Sequence, residues 1–191
     1  MHLKEELACY QAIDTQEEKD LAFMRSWLAL HEDTCFSRND EVAHFSASCW
    51  IVNADATKVL LCFHNIYQNW GWLGGHADGC TDLSIVACKE AEEESGLQTL
   101  KLLDPKAISV EVLPVGFHFK NGRFVSSHLH LNCTYLFQAD EKEPLKISPN
   151  ENSALQWVPI EEAPLYTNEP YMQKIYTKLN RVTKKITSSI N

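Results

Sequence analysis

Four glutamates lie within five consecutive positions near the middle of the sequence, at Glu90, Glu92, Glu93 and Glu94. The surrounding pattern predicts a helix over about residues 82–95, which places these acids in its last turns. Negative charge there opposes the helix dipole, at a cost of about 0.3–1 kcal/mol per group. The like-charged pair Glu90 and Glu94 costs about 0.2–0.5 kcal/mol more. Because positions 90, 93 and 94 share one helix face, their carboxylates can face a common divalent cation, which would explain the arrangement.

The helix is indicated by apolar residues at three- and four-residue spacing, namely Leu83, Ile85, Val86, Ala87 and Ala91. Thr81 or Asp82 is expected to cap its start, and Gly96 to end it in the left-handed conformation. A solvated surface helix is the plain alternative, since glutamate-rich helices are commonly exposed. The upstream pair Gly74–Gly75 favours a ligand site, because glycine lets the backbone approach a ligand closely or turn sharply.

Together, the glycines and glutamates resemble the Nudix box. In that motif a glycine is followed after five residues by Glu, and after seven more by Arg-Glu-U-x-Glu-Glu-x-Gly-U, where U is aliphatic. Gly75 opens the pattern, and "KEAEEESGL" at positions 89–97 falls in register with its second half. Two positions depart from it, with Thr81 in place of the first Glu and Lys89 in place of Arg.

The resemblance implies a site for Mg²⁺, with Mn²⁺ as an alternative, because both ions suit carboxylate oxygens. The implied metal ligands are Glu90, Glu93, Glu94 and the backbone carbonyl of Gly74. Lys89 is expected to orient Glu93 at i+4, although an ammonium offers a point charge where arginine offers a planar fork. The implied catalytic residues are Glu93, Lys89 and a general base, for which Glu151 is the candidate.

In many Nudix proteins, a glutamate in a loop after the box serves as general base or as a further metal ligand. Glu151, in the segment "SPNENSALQW", is the candidate for this role here. The alternative is a plain surface turn built on Pro149 and Asn150. Other acids in a more polar turn nearby rank behind it, namely Asp140, Glu141 and Glu143.

Four further residues are candidates for substrate binding. His128 and His130 lie on the polar side of an alternating strand and can hydrogen-bond phosphate or ribose, unless that strand is simply half solvated. No third soft ligand stands near them in the sequence, so a metal is not expected there. Trp70 is suited to stacking on a base, with core packing as the alternative. Arg38 is either a phosphate contact or a loop charge.

Composition excludes several classes of function. With 17 basic and 26 acidic residues, the net charge of −9 argues against broad nucleic-acid binding or attachment to anionic membranes. The seven cysteines contain no Cys-x-x-Cys pair, which favours reduced thiols and a cytoplasmic location. No stretch predicts a secretory signal or a membrane span.

The elements that must position these residues alternate between helices and strands. Helices are predicted over residues 15–31 and in the C-terminal segment "EPYMQKIYTKLNRVTKKI". Strand pairs are predicted at 45–53 with 58–64 and on both sides of Asn121–Gly122, and "SALQWVPI" supplies a last strand. This order predicts an α/β sandwich with a mixed sheet, which the Nudix resemblance also implies. We expect an N-terminal helical extension at 1–43, packed on a Nudix hydrolase domain at 44–191.

The resemblance implies a hydrolase that uses water to cleave the diphosphate of a small molecule with a phosphate anhydride, such as a nucleotide. A non-catalytic Nudix domain that binds a nucleotide as a sensor is the first alternative, because Thr81 and Lys89 depart from the motif. An isomerase of the isopentenyl diphosphate type is the second, but no matching active-site cysteine motif is recognisable. The base, the leaving group and the oligomeric state stay open, with a homodimer as one option.

Overall fold

Five α-helices are present in the computed structural model, which describes residues 2–120 and 122–190. They are α1 (Leu3–Cys9), α2 (Thr15–Leu30), α3 (Leu83–Ser95), α4 (Ala163–Tyr166) and α5 (Pro170–Ile190). A short 3₁₀ helix, Ile160–Glu162, precedes α4. Within the described ranges, none of the helices combines the length and the apolarity needed to cross a membrane.

Ten strands accompany the helices. They are β1 (Ala43–Val52), β2 (Lys58–His64), β3 (Asn69–Gly71), β4 (Leu73–His76), β5 (Lys101–Leu102), β6 (Ser109–Val115), β7 (His118–Lys120), β8 (Arg123–Val125), β9 (His128–Gln138) and β10 (Asn152–Pro159). β7 and β8 form a separate two-stranded hairpin. The other eight strands form one sheet with the central order β10–β2–β1–β9–β5, in which β3 pairs with β2, β4 with β1 and β6 with β9.

The sheet is mixed because β1 and β9 run parallel, whereas its other pairs are antiparallel. The parallel pairing covers the whole length of β1, from Ala43 opposite Leu129 to Val52 opposite Gln138. Helices lie on both faces of this sheet. The predicted α/β fold with a mixed sheet is therefore confirmed.

Side chains of β1 alternate between the two faces of the sheet. Phe45 belongs to a hydrophobic cluster shared with α1, α2 and α3, whereas Trp50 belongs to a second cluster shared with α5. On the Trp50 face, the first half of β1 is polar and consists of His44, Ser46 and Ser48. That face is therefore apolar where α5 covers it and polar at its other end, where the candidate site lies.

The N-terminal helices complete the first cluster. Five of their apolar side chains are fully or almost fully buried there, namely Leu3, Leu7, Leu21, Met24 and Leu28. Glu6 of α1 is also buried, and its carboxylate accepts hydrogen bonds from the Ala107 backbone N–H at 2.5 Å and the Tyr135 hydroxyl at 2.9 Å. These bonds satisfy polar groups that would otherwise be costly to bury.

A buried ion cluster joins α2, β6 and α5. Lys178 Nζ lies 2.9 Å from Glu17 Oε1 and 3.0 Å from Glu111 Oε1, and all three side chains are at most 5% exposed. Burial raises the pKa of Glu111, and the nearby ammonium acts in the opposite direction. Because two buried carboxylates share one ammonium, removing that ammonium should be costly.

Several local predictions are confirmed and others need correction. The predicted helix at 15–31 is α2, whereas the sequence analysis did not anticipate α1. β7 and β8 pair around Gly122 as a hairpin, while Asn121 lies outside the described residues. Ile85 is 60% exposed and therefore does not belong to the apolar side of α3. The half-solvated interpretation of β9 is wrong for Asn132 and Thr134, which are buried against β6 and hydrogen-bond Glu111.

Replacing the buried ammonium should destabilise the fold. Lys178→Met leaves Glu17 and Glu111 buried without their shared cation, and we expect a loss of about 3–5 kcal/mol in the free energy of unfolding. Urea denaturation followed by circular dichroism measures this loss. Lys184→Met is the matched control, because Lys184 pairs with Glu161 on the surface, where an ion pair contributes at most about 1 kcal/mol. Equal losses in the two variants would contradict a special role for the buried cluster.

Candidate functional site

A cleft of about 880 Å³ opens over the polar part of the sheet. Residues from β1, β4 and β9 line it, together with α3 and the loop before β10. The polar and glycine residues that line the cleft include Arg38, His44, Gly74, Gly75, His76, Glu90, His128, His130 and Glu151. Most of the predicted site residues therefore meet in one cavity, while Lys89, Glu93 and Glu94 lie on α3 beside it.

The glycine pair allows α3 and β4 to approach each other closely. Gly74 and Gly75 lie within β4, opposite Ser48 and Ala47 of β1. A Cβ atom on Gly74 would overlap the Ala47 carbonyl oxygen, and one on Gly75 would overlap the Glu90 carboxylate. Both glycines lie in a paired strand, so the sharp turn that the sequence allowed is not present, and the close neighbours are protein atoms, while close approach to a ligand stays a prediction.

Helix α3 has the predicted ends. Asp82, one of the two candidate caps, accepts a hydrogen bond from the Ser84 backbone N–H at 3.1 Å. Gly96 ends the helix in the left-handed conformation with φ of 75°, and its N–H donates to the Glu92 carbonyl. These caps fix the rotation of the last turns, so that Glu90 and Glu94 face β4 while Glu92 is exposed.

Glu94 is a buried carboxyl in an acidic environment. Its side chain is 4% exposed and accepts a hydrogen bond from the Gly74 backbone N–H at 3.2 Å. Burial and the neighbouring Glu90 raise the pKa of Glu94 to about 8. Burial and the charge of Glu93 also raise the pKa of Glu90. The raised pKa values mean that ionising both carboxyls together is unfavourable unless a positive charge lies next to them.

This donor set fits a hard divalent cation. Mg²⁺ and Mn²⁺ prefer carboxylate and carbonyl oxygens, and Glu90 and Glu94 bring two carboxylates to the same strand. Such a cation would offset the free-energy cost of placing both carboxylates there, because an adjacent positive charge favours their ionised forms. The raised pKa values of Glu90 and Glu94, and their position against Gly74 and Gly75 of β4, are thus both consistent with a metal-binding position.

Lys89 and Glu93 form an exposed pair on the same helix. Lys89 Nζ lies 3.6 Å from Glu93 Oε1, and the side chains are 66% and 58% exposed. The contact follows from their i,i+4 spacing. The Glu93 carboxylate is therefore accessible to solvent, unlike that of the buried Glu94.

Hydrogen bonds of its loop hold Glu151 near Glu90 and Glu94, called the acidic pair from here on. The buried Asn152 side chain donates to the Glu94 backbone carbonyl at 2.9 Å, and the Asn65 N–H donates to the Glu151 carbonyl at 2.9 Å. The negative charge of Glu151 contributes to the raised pKa values of Glu90 and Glu94. The loop therefore places a partly exposed carboxylate on the wall of the same cleft.

Arg38 and Trp70 lie at the border of the cleft. Both guanidinium nitrogens Nε and Nη2 of Arg38 contact the Asp78 carboxylate, so this arginine forms a fork-like ion pair. Trp70 packs edge-on against Phe63 and Tyr166 and has one part facing the cavity. Packing against neighbouring aromatic rings is therefore confirmed for Trp70, while stacking on a base stays a prediction.

Two further histidines, which the sequence did not single out, join His128 and His130 in the fold. His44 of β1 and His76 of β4 approach them so closely that one ring nitrogen from each of the four lies within 4.8 Å of the others. Although no further soft ligand lies near His128 and His130 in the sequence, two lie next to them in the folded chain. No spacing motif signals this cluster, because its members come from three strands that only the sheet register aligns.

Comparison with known proteins agrees with this geometry. Residues 42–179 match the sequence profile of the NUDIX domain, whereas comparison with curated protein sequences gives no match. A C. elegans Ap4A hydrolase structure has a TM-score of 0.56 at 18% identity, covering 74% of this chain and 98% of that chain. A NUDIX family hydrolase from Clostridium perfringens has a TM-score of 0.52 at 22% identity, covering 73% and 97%.

A third solved structure with the same fold is the E. coli dihydroneopterin triphosphate pyrophosphohydrolase. Its TM-score is 0.51 at 15% identity, with 69% of this chain and 91% of that chain covered. At such identities, the three structures show a common fold and leave substrate choice to each protein's own loops.

The pKa of Glu94 predicts a pH-dependent difference in stability. A glutamate in the unfolded chain titrates near 4.5, whereas Glu94 in the metal-free fold titrates at about 8. Between these values the fold retains a proton that the unfolded chain has lost, so its free energy of unfolding falls as pH rises. In EDTA, the wild type should lose stability relative to Glu94→Gln from about pH 5 to about pH 8, as measured by urea denaturation. A stability difference that stays constant over this range would contradict the prediction.

Proposed function

The chain belongs to the Nudix hydrolase family, and from that membership we propose that it is a metal-dependent pyrophosphohydrolase. The proposed substrate is a nucleoside diphosphate derivative or a nucleoside triphosphate, cleaved by water at a phosphorus atom. The main support is the position of the buried Glu94 and the half-buried Glu90 against Gly74 and Gly75 of β4, with raised pKa values at both carboxyls. The Gly74 N–H favours the ionised form of Glu94 and the charge of Lys89 that of Glu90, but burial and mutual repulsion outweigh them, and a shared divalent cation would offset that cost.

Glu90 and Glu94 would hold the cation, with Glu93 and the Gly74 carbonyl as further proposed ligands. When bound, Mg²⁺ or Mn²⁺ supplies neutralisation of phosphate charge and lowers the pKa of water. The Gly74 N–H fixes one oxygen of Glu94, which leaves the other oxygen available. Lys89 is proposed to position Glu93 through the 3.6 Å contact, in the place where the family motif has arginine.

Glu151 is proposed as the general base. Carboxylates that bind a cation are weak bases, so the proton of the attacking water needs a separate acceptor. Glu151 lines the cleft, is partly exposed, and belongs to a loop that Asn152 fastens to the end of α3. These features allow it to accept a proton near the acidic pair.

The cleft has the size and surface of a small-molecule site. Its volume of about 880 Å³ falls within the range of roughly 300–1,000 Å³ that is typical of ligand pockets. Aromatic side chains Tyr67, Trp70 and Phe124 border it and offer stacking surfaces for a base. Arg38 at the rim is proposed to meet a phosphate, and His128 and His130 line the wall on which a ribose or a phosphate would rest.

The proposed division of the chain is an extension at 1–43 and a hydrolase domain at 44–191. The NUDIX match, which begins at residue 42, supports the start of the second unit. Because α1 and α2 share the core of that unit and α2 contributes Glu17 to the buried ion cluster, the extension is proposed to stabilise the hydrolase domain.

A substrate screen distinguishes an enzyme from a nucleotide sensor. The wild type should release phosphate-containing products from at least one of the nucleotide sugars, ADP-ribose, dinucleoside polyphosphates or (d)NTPs when Mg²⁺ or Mn²⁺ is present, and none in EDTA. Product analysis by anion-exchange chromatography identifies the bond that is cleaved. Tight binding of a compound without any product would instead support the non-catalytic alternative.

Glu94→Gln should abolish most of the turnover found in that screen. Loss of a main electrostatic stabiliser lowers the turnover number by roughly 100-fold or more. Glu92→Gln is the matched control, because Glu92 is a neighbouring but exposed glutamate of the same helix, and its turnover should equal that of the wild type. Unchanged turnover in Glu94→Gln would remove this residue from the mechanism.

Glu151→Gln tests the general base. We expect turnover to fall by roughly 10² to 10⁴ while substrate affinity stays nearly the same, since the amide keeps the shape of the side chain but cannot take the proton. Glu141→Gln serves as the control, because Glu141 is an acid near the same loop in sequence and pairs with Lys58. Full activity in Glu151→Gln would return this residue to the role of a surface turn.

A further inference from the structure

The four-histidine cluster is assembled by strand register. His44 of β1 stands directly opposite His130 of the parallel strand β9. His76 of β4 is opposite Ser46, two residues along β1 on the same face as His44, and His128 lies two residues along β9 from His130. Residues two apart in a strand point to one side, so all four imidazoles face the cleft.

Two of the distances between ring nitrogens are close to those between ligands around a small ion, and all four nitrogens lie within 4.8 Å of one another. His130 Nε2 lies 3.1 Å from His76 Nε2 and 3.1 Å from His128 Nε2. Four nitrogens at the Zn–N distance of about 2.0–2.1 Å in a tetrahedron are separated by roughly 3.3–3.4 Å. An imidazole nitrogen carries either one proton or one lone pair, so hydrogen bonding alone cannot serve both neighbours of His130 Nε2 well.

Two of the rings are oriented by hydrogen bonds from their other nitrogen. His44 Nδ1 lies 2.9 Å from the Asp40 carbonyl oxygen, and His128 Nδ1 lies 2.8 Å from the Ser126 carbonyl oxygen. Carbonyl oxygens only accept, so both Nδ1 atoms carry protons, and a ring in this tautomer has its lone pair on Nε2. Donation from the second nitrogen to a backbone carbonyl is what metal-binding histidines typically show.

His44 adds an independent observation. Its side chain is 3% exposed, and its Nε2 is buried without a hydrogen-bond partner among the described residues. A buried nitrogen with a free lone pair is costly, unless a cation accepts that pair.

We propose that His44, His76, His128 and His130 form a tetrahedral binding site for Zn²⁺ or a similar divalent transition-metal ion. The site is separate from the carboxylate site on α3, because imidazole suits zinc whereas carboxylates suit magnesium and manganese. Four protein ligands complete a tetrahedron and leave no coordination position on the ion for substrate, which is typical of structural zinc, so substrate would meet His128 and His130 only as part of the cleft wall. The ion would clamp β1, β4 and β9 together and thereby fix the wall of the cleft beside Gly74 and Gly75.

Cobalt substitution tests this site without reference to activity. Metal-stripped full-length protein is titrated with Co²⁺ in excess Mg²⁺, which occupies oxygen sites and competes poorly for imidazole. We expect one Co²⁺ per chain with the intense visible bands of tetrahedral nitrogen coordination, and no thiolate charge-transfer band from the free cysteines. Zn²⁺ should then bleach these bands and raise the Tm.

Variants assign the bands to the cluster. His128→Gln and His130→Gln should each weaken Co²⁺ binding by more than about 100-fold, beyond the 10–100-fold typical when a ligand's hydrogen-bond partner is lost. His118→Gln is the control, because its ring is 6.2 Å from that of His128 but lies outside the four, and it should bind like the wild type. Glu94→Gln should also keep the bands, which separates the two metal sites.

Three results would overturn the proposal. The first is a wild-type spectrum with weak octahedral bands or none, which needs no variant and so does not depend on how the variants fold. The second is a thiolate charge-transfer band, which would place the ion at cysteine. The third is wild-type Co²⁺ affinity in both His128→Gln and His130→Gln, with circular dichroism spectra that match the wild type.

Discussion

Strand β1 has one backbone edge paired with β9 along its whole length, while its other edge is divided between β4 and β2. This pairing fixes where the candidate side chains lie. It sets His44 opposite His130 and Ser48 opposite Gly74, and α3 packs on β4 with Glu90 and Glu94 against the glycines. A slip of one residue would turn each strand's polar residues to the opposite face, so the register determines both the acidic site and the histidine cluster.

The polar face of the sheet continues from the cleft into the interior. Asn132 accepts hydrogen bonds from Ser46 and Ser48 at the cleft and donates to Glu111 beneath it. Glu111 in turn contacts Lys178, which reaches Glu17 of the N-terminal extension. A chain of buried polar contacts thus links the cleft to α2 and α5. Such connected networks are costly to break and hold their members in one geometry, which gives the extension a physical reason to pack on the sheet.

Local features of the sequence predicted local structure well. The caps and spacing of α3 are visible in a short window, so its limits and the face shared by Glu90 and Glu94 followed directly. The reason for Gly74 was not visible, because it depends on how near the Ala47 carbonyl lies in space. The histidine cluster was missed for the same reason, since His44 and His130 are far apart in sequence and meet only through parallel strand pairing. Burial of Asn132 likewise depends on partners from other elements.

The half-buried Glu90 and the buried Glu94 lie against Gly74 and Gly75 of β4, where we propose that a divalent cation joins them. Anomalous diffraction at the manganese absorption edge locates that cation independently of turnover, in crystals of protein that first receives one equivalent of Zn²⁺ per chain and is then equilibrated with Mn²⁺, because Zn²⁺ in excess would displace Mn²⁺ from oxygen ligands. We expect a manganese peak within about 2.5 Å of carboxylate oxygens of Glu90 and Glu94, the outer range for oxygen ligands of divalent cations. A well-ordered structure without manganese at these oxygens, or with manganese only elsewhere in the cleft, would contradict this explanation of the acidic pair.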